Sequence, residues 1–307
     1  MASHPRNTFG NRQVLLGVAF ALLAAVGFSA KAILVKLAYL DSRDAVTMLA
    51  LRMAFSAPFF IGVALWIRRR DAEPLSAHDW MLVTGLGLIG YYLSSLLDFL
   101  GLQYISAGLE RLILFLYPTL TVILSALIYK RAVGRAVIAA MVFSYAGIAM
   151  VFLHNVDTQE GSIALGASLV FASTLSYSIY LVGAGHTIAR IGTTRFTAYA
   201  MVVASSASLL QFAIMRPIGA LDLPLRVYGL SVAMAVFSTV LPVFLLSYAI
   251  RRIGSGSAAL VGTIGPVSTI YLAYVILGEH ISLVQIVGSS LVLLGVLVIS
   301  LNSRKSG

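Results

Sequence analysis

Residues 106–121 read SAGLERLILFLYPTLT, and residues 254–269 read GSGSAALVGTIGPVST. An offset of 148 positions aligns Gly108 with Gly256, Leu112 with Leu260, Pro118 with Pro266 and Thr121 with Thr269. The same offset aligns Ile138 with Ile286 and Gly147 with Gly295, while an offset of 149 pairs Gly17 with Gly166 and Ser29 with Ser178. Apolar residues match often by chance, so the glycine and proline matches carry the argument. The pattern predicts a duplicated chain, with one half over residues 1–153 and the other over 154–307.

Composition says what each half is made of. Of 307 residues, 60% are hydrophobic and 10% charged, with mean hydropathy +0.96. A soluble domain carries about 25% charged residues, so this chain has too few to cover a surface in water. There is no cysteine, which excludes disulfide frameworks, thiolate zinc sites and cysteine nucleophiles. Ten apolar stretches stand out: 14–39, 45–67, 80–102, 107–129, 133–153, 162–184, 196–215, 227–250, 256–277 and 281–301. Each is long enough to cross a bilayer as a helix, and only a helix or a closed barrel satisfies its backbone inside lipid. Runs such as Val292-Leu293-Leu294 lack the alternation of a barrel strand. The expected fold is therefore an all-α integral membrane protein of ten transmembrane helices. The first stretch, about 25 apolar residues long, exceeds a signal-peptide core and is read as a retained span.

Five helices per half is an odd number, so the second half would enter the membrane with opposite polarity. Inverted repeats of this kind build secondary transporters, because two similar halves can exchange conformations around a central site. The net charge of +10 fits this reading better than nucleic-acid binding. With the N-terminus inside, one side of the membrane receives Arg6, Arg12, Arg68, Arg69, Arg70, Lys130, Arg131, Arg135, Arg190, Arg195, Arg251, Arg252, Arg304 and Lys305. The other receives only Arg43, Arg111, Arg216 and Arg226. That bias places both termini in the cytoplasm.

Ionisable residues inside a membrane are costly and mark function. Lys31, Arg52, Asp98 and Glu110 are the candidates, with Asp98 able to pair with Lys31 or Arg52. Lys36 and Arg111 lie nearer the interface, where long side chains snorkel to water. Tyr91, Ser94, Ser95 and Asp98 share one face of the third helix; Glu110, Tyr117, Thr121 and Ser125 one stripe of the fourth; Ser173, Ser176, Tyr177 and Tyr180 one face of the sixth. Tyr91, Tyr92, Tyr117, Tyr177 and Tyr180 would line a partly aromatic pocket, whereas the serines serve equally as interhelical glue. Pro118 and Pro266 are the candidate hinges. Helix 5, with Ala136, Ala140 and Ser144, and helix 10, with Gly288 and Gly295, present small residues suited to a scaffold or a homodimer surface.

The stretch GYYLSSLLDFLGLQYISAGLERLILFLYPTLT (90–121) and the stretch IGPVSTIYLAYVILGEHISLVQIVGSSLVLLGV (264–296) resemble the drug/metabolite transporter superfamily, in particular its ten-helix EamA-type members. In the second stretch Pro266, Gly278-Glu279 and Gly288 match the end of an EamA repeat; in the first half Tyr129-Lys130 stand where glycine-glutamate is expected. The resemblance implies a bacterial inner-membrane carrier that exports small metabolites such as amino acids or drug-like solutes.

The expected partners are a small-molecule substrate, the lipid bilayer and protons as a coupling ion, with no cofactor and no metal. Lys31 and Arg52 would suit a carboxylate-bearing solute. The alternatives are a membrane-embedded enzyme and a channel. His4, His78, His154, His186 and His280 show no paired spacing, and no phosphate-binding glycine loop occurs, which argues against catalysis and ATP-driven pumping.

Overall fold

A computed structural model describes residues 11–70, 74–130, 134–158, 162–253 and 255–303, all regular structure among them being helical. Arg6, Arg131, Arg304 and Lys305 fall outside these residues, as do the side chains of Arg12, Arg70 and Ala136. The helices are α1 (Asn11–Ala38), α2 (Ala45–Arg70), α3 (Ala77–Gly101), α4 (Ala107–Ile128), α5 (Arg135–Thr158), α6 (Ile163–Ile191), α7 (Thr193–Met215), α8 (Leu225–Ile253), α9 (255–277) and α10 (Leu283–Ser303). Seven of them, α1–α4 and α6–α8, are long and apolar enough to cross a membrane among the described residues. Shorter apolar stretches, Ile138–His154, Ile264–Leu277 and Leu283–Val298, belong to α5, α9 and α10.

Local sequence explains most boundaries. Ser76 and Asp79 cap the start of α3 reciprocally, Ser106 Oγ accepts from Leu109 N at 3.2 Å to start α4, and Ser282 Oγ accepts from Gln285 N at 3.1 Å to start α10. α6 continues to Ile191, past the expected end at residue 184. Gly183, Gly185 and His186 do not break it, and the chain turns only at Gly192, with φ +86°.

Irregularities in the helices recur at the offset read from the sequence. A π-helical segment begins at Leu88 in α3 and another at Val236 in α8, 148 positions apart. α4 is broken after Leu114 and resumes at Tyr117; α9 is broken at Thr263 and resumes at Ile264. Phe115 (φ −70°, ψ 0°) and Thr263 (φ −63°, ψ −13°) are again 148 apart. Lys130 and Gly278 both take a left-handed turn, so Lys130 matches Gly278, one position on from the sequence comparison with Tyr129-Lys130. Hydrogen bonds repeat too. Ser29 Oγ donates to the Gly265 carbonyl at 2.9 Å, and Ser178 Oγ to that of Tyr117 at 3.2 Å.

Helices of the two parts interleave: α1 packs on α8 and α9, α6 on α3 and α4, α2 on α7, and α5 on α10. Lipid supplies no hydrophobic drive for this packing, so close approach through small residues does the work. A Cβ on Gly147 would lie 2.5 Å from the Gly288 carbonyl oxygen, and one on Gly288 would lie 2.6 Å from that of Gly147. Gly295 meets Ser144 and the Ala140 carbonyl in the same way. Ala140, Ser144 and Gly147 of α5 therefore face Gly288 and Gly295 of α10 within the chain.

Gly147→Ala is expected to lower the melting temperature of the detergent-solubilised protein, as overpacking costs about 1–3 kcal/mol. Gly62→Ala meets nothing within 4 Å and is expected to leave it unchanged or slightly raised. Equal effects would contradict the packing assignment.

Candidate functional site

The site is built from charge that cannot stay unpaired. Lys31, in the middle of α1, donates from Nζ to Asp98 Oδ2 of α3 and lies 2.9 Å from Glu110 Oε1 of α4. Asp98 is 3% exposed and Glu110 0%, so one ammonium serves two buried carboxylates. Isolating any of these charges in a low-dielectric interior would cost several kcal/mol per ion. Arg52, also buried, donates from Nε to Thr239 Oγ1 at 2.9 Å and lies over the Phe99 ring, 5.5 Å from its centroid. Thr239 sits in the π segment of α8, where its hydroxyl donates to the Met234 carbonyl at 3.0 Å. π-helical turns of this kind concentrate at functional positions.

A cavity of about 500 Å³ opens beside these groups, within the range of small-molecule sites. It is lined by residues of α1–α4 and α6–α9. The expected residues Lys31, Arg52, Tyr91, Ser95, Asp98, Tyr117, Tyr177 and Tyr180 all face it. Glu110 lies behind Lys31 and is not part of the wall. The rings form a continuous row. Phe115 and Tyr117 centroids are 6.1 Å apart, Tyr117 and Tyr177 5.7 Å, Tyr177 and Tyr180 5.5 Å, and Tyr180 and Tyr91 5.0 Å. The Tyr91 and Tyr180 hydroxyls hydrogen-bond at 2.9 Å. Several serines act as fasteners: Ser173 Oγ donates to the Ser94 carbonyl at 2.7 Å, and Ser176 Oγ to the Ile89 carbonyl at 2.7 Å, within the π segment of α3.

Two features escaped the sequence reading. Arg111, expected to snorkel to the interface, lines the cavity, because α4 is oriented by its Ser106 cap and its break at residues 115–116. Ser238 and Thr239 also line it. The offset of 148 could have found them, since it pairs Thr239 with Tyr91 and Ser238 with Gly90. Lining positions recur generally: Lys31 pairs with Tyr180, Phe28 with Tyr177 and Arg52 with Met201 at 149, and Asp98 with Leu246 at 148. At three of these pairs, Lys31–Tyr180, Arg52–Met201 and Asp98–Leu246, charge in the first half stands where the second has a phenol or an apolar group. Pro118 and Pro266 stand in the first turn of the resumed helices, where a missing N–H costs little. The backbone breaks precede them.

The cavity reaches Ile188, Thr193, Ile250 and Ala258 at one face, while no lining residue comes from 39–44, 102–106, 216–224 or 278–282 at the other. That other face is tied across. Arg216 grips Asp44 with two hydrogen bonds, of 2.7 and 3.0 Å, and Arg226 lies 3.6 Å from Asp41. Glu279 accepts from the backbone N–H groups of Ala107 and Gly108 at 3.0 and 3.3 Å, placing its charge at the positive end of α4.

The sequence model of the EamA-like transporter family matches residues 15–153 and again 164–301. The chain belongs to the EamA-like transporter family and is a multi-pass membrane transporter. It is similar to the uncharacterized transporter YcbK of Bacillus subtilis (strain 168), 30% identical over 282 residues that cover 90% of each chain. An uncharacterized transporter of Archaeoglobus fulgidus is 24% identical over 256 residues, covering 83% of this chain and 88% of the relative. A solved crystal structure matches the fold with TM-score 0.64 at 18% identity, over 94% of this chain and 98% of that one.

Two outcomes follow. Lys31→Met leaves two buried carboxylates without their counter-ion and is expected to abolish stable folding, at a cost of about 3–5 kcal/mol. The triple change Lys31→Met/Asp98→Asn/Glu110→Gln is expected to recover a monodisperse, cooperatively melting protein; an unimpaired single variant would contradict the triad. At the closed face, burial works against the Asp44 charge, but the Arg216 guanidinium and the Thr47 hydroxyl hold its carboxyl below the usual carboxylate range. Its stabilisation is therefore complete above the unfolded-state value, about 3.9, and disappears as pH falls through the lower folded-state value. Wild type is expected to melt above Asp44→Asn at pH 7 by no more than about 1 kcal/mol, since both groups are partly exposed. The gap should close below about pH 4; a gap independent of pH would contradict the pair.

Proposed function

We propose that the chain is a secondary or facilitative carrier that exports small polar or amphipathic metabolites, amino acids or drug-like solutes among them, by alternating access. The observation that carries this reading is a single chamber between α1–α4 and α6–α9, continuous to one face and tied shut at the other. Ten spans, α1–α10, are arranged as two inverted halves, residues 1–153 and 154–307. The paired π segments, helix breaks and lining positions support that arrangement, as does the twofold match to the family. The lining face carries Arg68, Arg69, Arg190, Arg195, Arg251 and Arg252 at its helix ends, which favours the cytoplasm of a bacterial inner membrane for that side and for both termini. The structure would then be an inward-open state.

The breaks ahead of Pro118 and Pro266 are the places where α4 and α9 flex. Lys31, Asp98 and Glu110 carry a net single negative charge when both acids are ionised, with Arg52, Arg111 and Lys36 around them. The trio can gain or lose a proton without breaking apart, and protons are the coupling ion proposed for a coupled carrier. A homodimer through α5 and α10 would have to use their outward faces, such as Val142, Phe143 and Ile286.

The test is uptake into proteoliposomes across a panel of metabolites, with and without a pH gradient, alongside labelling of introduced cysteines. Saturable, gradient-dependent uptake is expected, and Ser95→Cys should react with a membrane-impermeant maleimide from the cytoplasmic side alone in the absence of substrate. Non-saturable flux, or labelling of Ser95→Cys from both sides at once, would point to a channel and overturn the proposal.

A further inference from the structure

The charges at the cavity do not balance, and the imbalance is localised. Lys31 is held by both Asp98 and Glu110. Arg52 is anchored on Thr239 and stacked over Phe99. Arg111 faces the cavity with neither an ion pair nor a hydrogen bond among the described residues, and its Nε is buried without a partner. Three cations therefore stand with two carboxylates, both on Lys31; Arg52 has a hydroxyl and a ring as partners, and Arg111 is the cation left with neither an ion pair nor a hydrogen bond among the described residues. An uncompensated guanidinium at this depth is costly, and its planar fork suits a carboxylate bound through two parallel hydrogen bonds.

What surrounds Arg111 says more. Its Nη2 would be 2.7 Å from a Cβ on Gly265, so the guanidinium rests against bare α9 backbone where any side chain would push it away. Next to it begins the row Phe115, Tyr117, Tyr177 and Tyr180. Among the described residues no acid is free for an ammonium group: Glu110 is not part of the wall, Asp98 Oδ2 is on Lys31, and Asp98 Oδ1 is itself buried.

We propose, building on the carrier reading, that the cargo is an aromatic or similarly flat organic monoanion. Its carboxylate binds Arg111 and its ring lies along Tyr117 and Tyr177. A neutral complex results, with three cations balanced by two resident acids and one bound anion. This narrows the broader solute range proposed above: zwitterions such as amino acids, and cations, bind less well, because the described residues hold no free counter-charge for an amino group.

The test is calorimetric titration of the purified full chain in detergent with four compounds that share a phenyl ring: phenylacetate, phenylacetamide, phenethylammonium and phenylalanine. Phenylacetate is expected to bind at least tenfold more tightly than the others. Arg111→Gln should erase that preference in a protein with a normal melting curve. Arg111→Lys should keep part of it, and Gly265→Ala, which displaces the guanidinium, should weaken phenylacetate alone. Equal or tighter binding of phenylalanine or phenethylammonium, or an undiminished preference in both Arg111 variants, would overturn the proposal. Phenylacetate that binds as expected yet is not carried into proteoliposomes would refute the carrier reading and leave the ligand assignment standing.

Discussion

One ammonium group organises the interior of this protein. Lys31 lies largely buried in α1 beside the cavity, and Asp98 and Glu110 lie too deep in α3 and α4 to do without a cation. Each charge would be prohibitive alone; together they fix three helices at one depth. The cost of desolvation makes the trio obligatory, and its mutual attraction makes it specific. Arg52 extends the network to α8 through Thr239, so charge positions the helices around the chamber as well as its contents.

The rest of the fold serves the same constraint. α5 and α10 pack backbone to backbone through Gly147 and Gly288, and none of their described side chains belongs to the cavity wall. They buttress a chamber whose own helices are irregular. The π segments of α3 and α8, unlike that of α9 at Ala273–Leu277, lie beside the cavity, as do both breaks in α4 and α9. They turn side chains and carbonyls into directions a straight helix would not allow. The two parts of the chain supply matching places with different chemistry: Lys31 and Asp98 from the first, Tyr180 and Leu246 at the corresponding positions of the second. Geometric likeness thus coexists with chemical asymmetry.

The helices were legible in the sequence because hydropathy dictates them, and the buried charges because their cost leaves them few places to be. Of the five tyrosines expected in the wall, Tyr91, Tyr117, Tyr177 and Tyr180 line it and Tyr92 does not. Arg111 was missed, since a residue one turn into a helix reads as an interfacial anchor unless the cap and the break that orient α4 are known. The expected stripe through Glu110, Tyr117, Thr121 and Ser125 treated α4 as continuous. The break at residues 115–116 divides it, leaving Glu110 behind Lys31 and bonding Thr121 back to the Tyr117 carbonyl. Serine and threonine were the hardest to place, because Ser173 and Ser176 fasten helices while Thr239 holds Arg52, and composition does not separate the two uses.

The central claim is that the two ends of the chamber open in turn. Because the chain has no cysteine, spin labels can be attached at chosen sites, one pair at residues 43 and 219 on the closed face and another at residues 189 and 251 on the opposite face. Distances between labels in nanodiscs, with and without transported solute, measure the claim directly. The account requires the first distance to lengthen as the second shortens. Two distances that stay fixed during turnover, or that lengthen together, would contradict it.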